Sequence, residues 1–293
     1  MCDEDKLARW AREGLNRRQF GALGGMAAMA ACTPAVPGGG GEATLPAVTE
    51  KSLGFATRDG TMDGFFVHPV SGPAPAVLFW PDIAGLREAK RNMARRLASH
   101  GYAVFVANPY YRDVAGQQFE DFADFAGNDG FRQVAPWRAK LDAAAIMRDA
   151  RAAIAWLDGQ EAVDSARGVG TQGYCMGGPF TVWTAAAVPS RVRAAASFHG
   201  GGLVRESDAA SPHNLFGDTQ ASFLIAIAQD DDAEAPGHKN TLREAAKAAV
   251  RPAEVEVYAG DHGWTVPDSP AYARTEAERA WANLLKLYGD TLA

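Results

Sequence analysis

The stretch PAVLFWP (75–81) is apolar at every position of its centre rather than at alternate ones. A strand with one wet face alternates, so a short run of this kind belongs to a strand covered on both sides, as in a parallel sheet between two layers of helices. Next comes REAKRNMARRLASHG (87–101), which is amphipathic and stops at Gly101, a residue favoured just past a helix end. YAVFVANP (102–109) then reads as the next strand. The alternation continues with a helix over 137–157, a short strand ending near Tyr174, a helix from about 177 and a strand over 192–200. A strand at 223–228, a helix from near 239, a strand over 253–260 and a closing helix over 271–288 complete it. Upstream, LGFATRDGTMDGFFVHP (53–69) holds two apolar runs joined through Asp59-Gly60, a hairpin signal. The expectation is a single α/β domain with a mostly parallel central sheet and helices on both faces. One segment, 110–137, carries Phe119, Phe122, Phe125, Phe131 and Trp137 without a clear period. These aromatics either line a pocket or pack the core.

Composition excludes several classes. With 47% apolar and 22% charged residues, the chain is too rich in core-forming side chains to be disordered. No window offers about 18 unbroken apolar residues, so it is not a multi-span membrane protein. The net charge is −6 with no basic stripe, so a nucleic-acid partner has no electrostatic support.

The first residues read as an address. Asn-Arg-Arg-Gln-Phe (16–20) precedes the small-residue run GALGGMAAMAAC. The Arg17–Arg18 pair with Phe20 resembles a twin-arginine export signal, a route for proteins that cross the membrane folded. Met29-Ala30-Ala31-Cys32 resembles a lipobox, with Met29 where Leu is usual, and implies lipidation at Cys32. Cleavage after Ala30 and a plain amphipathic N-terminal helix are the competing readings. The organisation expected is an export signal over 1–31, a Pro/Gly-rich tether over 32–50 and a catalytic domain over 51–293. The product is then periplasmic or a membrane-anchored lipoprotein. Of three cysteines, Cys2, Cys32 and Cys175, only Cys175 falls in the body, which therefore has no internal disulfide despite an oxidising destination.

Gly173-Tyr174-Cys175-Met176-Gly177 lies between an expected strand and helix with the spacing of the nucleophile elbow G-x-S-x-G, Cys replacing Ser. Such a turn strains the nucleophile's backbone, lifts its side chain out of the sheet and sets it at the positive end of a helix, where a thiolate is favoured. The bland alternative is a Gly-rich packing turn with a buried Cys. In elbow folds the acid and then the histidine follow the nucleophile. Of six histidines, only His238 and His262 follow a plausible acid, and His238 opens an expected helix. His262, in the loop after the last strand, is the base. The acid leaves the strand at 223–228, where Asp230, Asp231 and Asp232 stand in a row. Strand register favours Asp231, counting back from Pro236 favours Asp232, and the remaining acids read as solvated loop charges. His199, at a strand end, reads as a hydrogen-bonded structural residue or as one facing the site. No metal-ligand spacing is present, so neither metal nor other cofactor is expected.

GYCMGG, the Asp-Asp-Asp segment and GDHGW resemble the dienelactone hydrolase family of α/β hydrolases, as do Asp59-Gly60, Pro81-Asp82-Ile83-Ala84-Gly85 and Ser197-Phe198-His199-Gly200-Gly201. The resemblance covers roughly residues 50–290. It implies an α/β-hydrolase fold, a Cys175–His262–Asp231 triad and an oxyanion hole from the backbone N–H groups of Ile83 and Met176. It also implies that Asp82, where the family carries Glu, modulates the resting thiol. Dienelactone-cleaving members bear an arginine four residues after the histidine, whereas this chain has Val266. The implied activity is cleavage of a small-molecule ester or lactone through an acyl-enzyme, as in a carboxymethylenebutenolidase. Two rivals are a thioesterase or other acyl hydrolase on the same triad and a non-catalytic exported binding protein.

Overall fold

The strand Ala76–Trp80 (β3) is buried at all five positions, and it lies inside an eight-stranded sheet. A computed structural model describes residues 47–292. Arg17, Arg18, Phe20 and Cys32, which carry the export and lipidation readings, lie outside the described residues. The other strands are β1 (Val48–Thr57), β2 (Gly60–Pro69), β4 (Ala103–Ala107), β5 (Val169–Tyr174), β6 (Val192–Phe198), β7 (Ser222–Ala228) and β8 (Ala253–Tyr258). Their order is β1-β2-β4-β3-β5-β6-β7-β8. The β1–β2 hairpin turns at Arg58-Asp59, with Gly60 already opening β2 opposite Thr57, and pairs antiparallel onto β4, and every later pairing is parallel. Val48–Glu50, assigned above to the tether, already belong to β1.

The described helices are α1 (Glu88–Ala98), α2 (Phe122–Gly127), α3 (Gly130–Arg138), α4 (Ala143–Asp158), α5 (Gly178–Ala187), α6 (Gln229–Glu234), α7 (His238–Ala248) and α8 (Arg274–Thr291). Alternation along β3 divides the core in two. Ala76, Leu78 and Trp80 pack with Ile146 and Ile154 of α4, Trp183 of α5 and Leu242 of α7. Val77 and Phe79 pack with Leu97 of α1 and Leu284 and Tyr288 of α8. Both faces are therefore covered, which is why a strand this apolar is stable here.

The helix expected over 137–157 is two. Asp142 accepts a hydrogen bond from the Ala145 N–H at 2.7 Å and caps α4, while 130–138 forms the separate α3. An N-cap aspartate stabilises a helix by about 1 kcal/mol, enough to place the break. The aperiodic aromatics close on one another, with Phe125 at 5.1 Å from Phe119 and 4.6 Å from Phe131 between ring centres. Phe119, Phe122 and Phe125 are buried in the core on the α4–α5 side of the sheet, and Phe131 and Trp137 pack against it from the small helical cap of α2 and α3.

Candidate active site

Adjacent parallel strands end at one edge, and the site gathers there. Trp80 of β3 is in register with Gly173 of β5, and Ala228 of β7 with Tyr258 of β8. Chains leaving these strands therefore emerge side by side, where an open α/β sheet collects its functional residues.

Cys175 leaves β5 in a 3-10 turn (Cys175–Gly177) before α5, with φ at +53°. That left-handed backbone costs a non-glycine residue about 1–2 kcal/mol and must be held by its surroundings. Here the glycines hold it by permitting close approach. A Cβ on Gly173 would lie 2.0 Å from the Gly177 oxygen, and one on Gly177 would lie 2.7 Å from the carbonyl oxygens of Trp80 and Pro81. The thiol is buried and forms no disulfide among the described residues.

His262 sits in the turn after β8, and its backbone N–H donates to Asp230 Oδ1 at 2.8 Å. Its Nδ1 lies 2.8 Å from Asp231 Oδ2 and 3.0 Å from Oδ1. An ionised carboxylate only accepts, so Nδ1 carries the proton and Nε2 presents the lone pair. Asp230 and Asp232, expected as solvated loop charges, are helical and partnered instead, together with Asp231. They open the short helix α6 immediately after β7, and each has its own partner: Asp230 the His262 backbone, Asp231 the His262 ring, Asp232 the Lys239 ammonium at 2.6 Å.

Ile83 lies in a turn closed by the Gly85 N–H on the Asp82 carbonyl at 2.9 Å. Tyr110 spans the two residues of the expected oxyanion hole, donating its hydroxyl to the Ile83 carbonyl at 2.7 Å and lying 3.5 Å from Met176 Sδ. Tyr110 escaped the sequence reading. Its only signal is an aromatic directly after the strand end at 107–109.

The family model for "Dienelactone hydrolase family" matches residues 62–292. The chain belongs to the dienelactone hydrolase family. It is accordingly an ester or lactone hydrolase of that type. A relative from Methylorubrum extorquens named "Putative carboxymethylenebutenolidase" is 28% identical over 233 residues, covering 78% of this chain and 76% of that protein. A protein of the same name from Escherichia coli K12 is 27% identical, covering 74% and 77%. The crystal structure of a dienelactone hydrolase-like promiscuous phosphotriesterase from metagenomic libraries superposes with a TM-score of 0.67 at 25% identity, over 84% of this chain and all (100%) of that one.

Two positions part from the dienelactone hydrolase pattern described above. Both oxygens of Asp82 are committed elsewhere, to the Arg87 guanidinium at 2.7 and 3.0 Å and to Lys90 Nζ at 2.7 Å. Those cations outweigh the burial that would raise it and hold the carboxyl well below the usual carboxylate range. A carboxylate so held stays ionised near neutral pH, with both of its oxygens engaged in ion pairs. Val266, where an arginine would stand, is buried in the core on the α1–α8 side of the sheet. Trp264 is buried likewise and stacks on Tyr258 at 4.7 Å, so it packs the core on that side.

A cavity of about 370 Å³ opens beside Met176, walled by Leu141, Pro179, Phe180 and Val204 with Arg138 and Arg205 among its lining. Apolar walls with a few charged groups are the usual make-up of a small-molecule site.

His199 proves to be both structural and close to the site. Its Nε2 lies 2.8 Å from Thr265 Oγ1, and its ring centre is 5.0 Å from that of His262. Burial holds it neutral, well below the ordinary histidine range. Below about pH 6.5 the unfolded chain binds a proton at this position and the folded chain does not. Stability is therefore lost as pH falls, by about 1.4 kcal/mol per pH unit down to the depressed folded value. In urea unfolding between about pH 7.5 and 5.5, His199→Asn, whose side chain tolerates the φ of +40°, should show a shallower decline than the parent. Equal slopes would contradict a neutral buried His199.

Proposed function

We propose that the protein hydrolyses a carboxylic ester or lactone through Cys175, as a cysteine-dependent enzyme with an acyl-enzyme intermediate. The observation that carries the reading is the Asp231–His262 hydrogen bond at 2.8 Å at the sheet edge where Cys175 is held at positive φ. In the scheme, Cys175 Sγ attacks the carbonyl carbon and its proton passes to His262 Nε2. Asp231 fixes the imidazole tautomer and faces the imidazolium that forms. The N–H groups of Ile83 and Met176 receive the oxyanion, each donor being worth about 3–4 kcal/mol in comparable sites. The leaving alkoxide takes the proton from His262, leaving a thioester. His262 then deprotonates water, which attacks the thioester and releases the acid with the thiol restored. Substrate sits in the cavity beside Met176, whose apolar walls suit a compact acyl or lactone ring. The carboxymethylenebutenolidase names of the relatives support a lactone, and the buried Val266 supports a substrate recognised differently from that of the dienelactone-cleaving members that carry an arginine there. Hydrolysis of p-nitrophenyl acetate, abolished by prior iodoacetamide, is the expected result. Turnover that survives full alkylation of Cys175 would overturn the cysteine mechanism.

The N-terminal motif extends this proposal to location. The Arg17–Arg18 pair with Phe20 supports export of the folded protein, and Cys32 supports a lipid anchor. Folding in a reducing cytoplasm protects Cys175 from mispairing before export. Replacing Arg17 and Arg18 with lysines should strand the precursor in the cytoplasm, read by fractionation and immunoblot. Periplasmic delivery of that variant would refute the twin-arginine reading, and a mature N-terminus other than Cys32 would refute the anchor.

A further inference from the structure

Arg87 joins three segments that border the site. It is buried, and its Nη1 and Nη2 donate to the two oxygens of Asp82 at 2.7 and 3.0 Å. Its Nε and Nη2 donate to the two oxygens of Asp268 at 2.7 and 2.8 Å. Asp82 also accepts the Ala84 N–H at 3.0 Å, so its carboxylate closes the turn that contains Ile83. Asp268 lies six positions beyond His262 in the chain and accepts the Phe122 N–H of the helical cap at 3.0 Å. Lys90, buried as well, pairs with Asp82 at 2.7 Å and stands 4.7 Å above the ring of Tyr174, the residue before Cys175. One guanidinium therefore ties the Ile83 turn to the chain that follows His262, and its neighbouring ammonium ties it to the strand bearing Cys175.

Stability alone is a poor reason for such a cluster. Desolvating four charges is expensive, and apolar replacements for buried ion pairs are often neutral or stabilising. Fixed geometry is what the bidentate arginine supplies: two planar forks set the distance and angle between two loops. We propose that Arg87 is a positioning residue for the oxyanion hole, holding the Ile83 N–H in register with Cys175 through Asp82 and Asp268. This rests on the cysteine mechanism above and assigns to Asp82 a scaffold role in place of the thiol-modulating one that the family resemblance implies.

Two reactions of the same thiol separate positioning from general damage. Ester cleavage develops an oxyanion, whereas alkylation by iodoacetamide displaces iodide at a CH₂ group and develops none. Arg87→Lys keeps the charge and loses the double fork, and Arg87→Met removes both. Each should lower kcat for p-nitrophenyl acetate by about 10- to 100-fold with KM within about threefold. The rate and pH profile of Cys175 alkylation should stay as in the parent. Asp268→Asn, at the more exposed end of the cluster, should show the same pattern with a smaller loss. Folding is checked by near-ultraviolet circular dichroism. Alkylation and kcat falling in parallel, or kcat within about threefold of the parent in a folded Arg87 variant, would overturn the positioning role. So would unfolded Arg87 variants beside an Asp268→Asn protein of unchanged kcat, which would assign the cluster to stability. Ester turnover surviving full alkylation of the parent would instead overturn the mechanism on which the proposal rests.

Discussion

Cys175→Ala lowers kcat for an activated ester by about 10⁴-fold or more, because it removes the only protein atom in the proposed scheme that bonds to the substrate carbon. The folded state should be little changed, with stability within about 1 kcal/mol of the parent. Alanine keeps a Cβ, so the left-handed backbone at +53° is neither relieved nor worsened. The close approaches of Gly173 and Gly177 do not involve the thiol. Residual activity should be slow and insensitive to iodoacetamide, since the oxyanion donors still bind the carbonyl. Steady-state rates with thermal unfolding of the same preparation check this. Parent-level turnover in a folded variant would sink the nucleophile assignment.

Asp231→Asn should cost about 10⁴-fold in kcat, the size of loss seen when a triad carboxylate becomes an amide. An asparagine oxygen can still accept from Nδ1, but its NH₂ group can instead donate to an Nδ1 lone pair and stabilise the wrong tautomer. The imidazolium that forms during attack also loses its counter-charge. Asp232→Asn should change kcat less than about tenfold, because its partner is Lys239 and its loss acts on α6 rather than on the imidazole. Asp230→Asn retains an oxygen for the His262 N–H and should likewise be mild. Comparing the three variants on one substrate decides the assignment, and a larger loss for Asp232→Asn than for Asp231→Asn would reverse it.

The contrast between these acids marks how far the sequence is legible. Register along β7 places Asp231 because β7 ends at Ala228 and α6 begins at once, leaving no loop in which the count can slip. Counting from Pro236 points instead to Asp232, which pairs with Lys239, because a helix turn intervenes. The strands and the elbow are legible for a similar reason: local pattern and short spacing determine them. The Arg87 cluster is not. Within REAKRN Arg87 and Lys90 look solvated, and nothing local pairs residue 87 with residue 268, which lies 181 positions away. Only the fold brings the turn after β3 and the chain after β8 together. His199 fails differently, because hydrogen bonding to Thr265 and proximity to His262 are compatible, and sequence reasoning treats them as alternatives.

Trapping the acyl-enzyme tests the cysteine mechanism most directly. Protein mixed with excess p-nitrophenyl acetate is quenched in acid within the first turnover, digested at low pH and examined by peptide mass spectrometry. The account predicts one acetyl group on the peptide containing Cys175, labile to hydroxylamine as a thioester is, and absent from Cys175→Ala. An acetyl group on another residue at the same rate, or burst release of p-nitrophenol from Cys175→Ala, would contradict it.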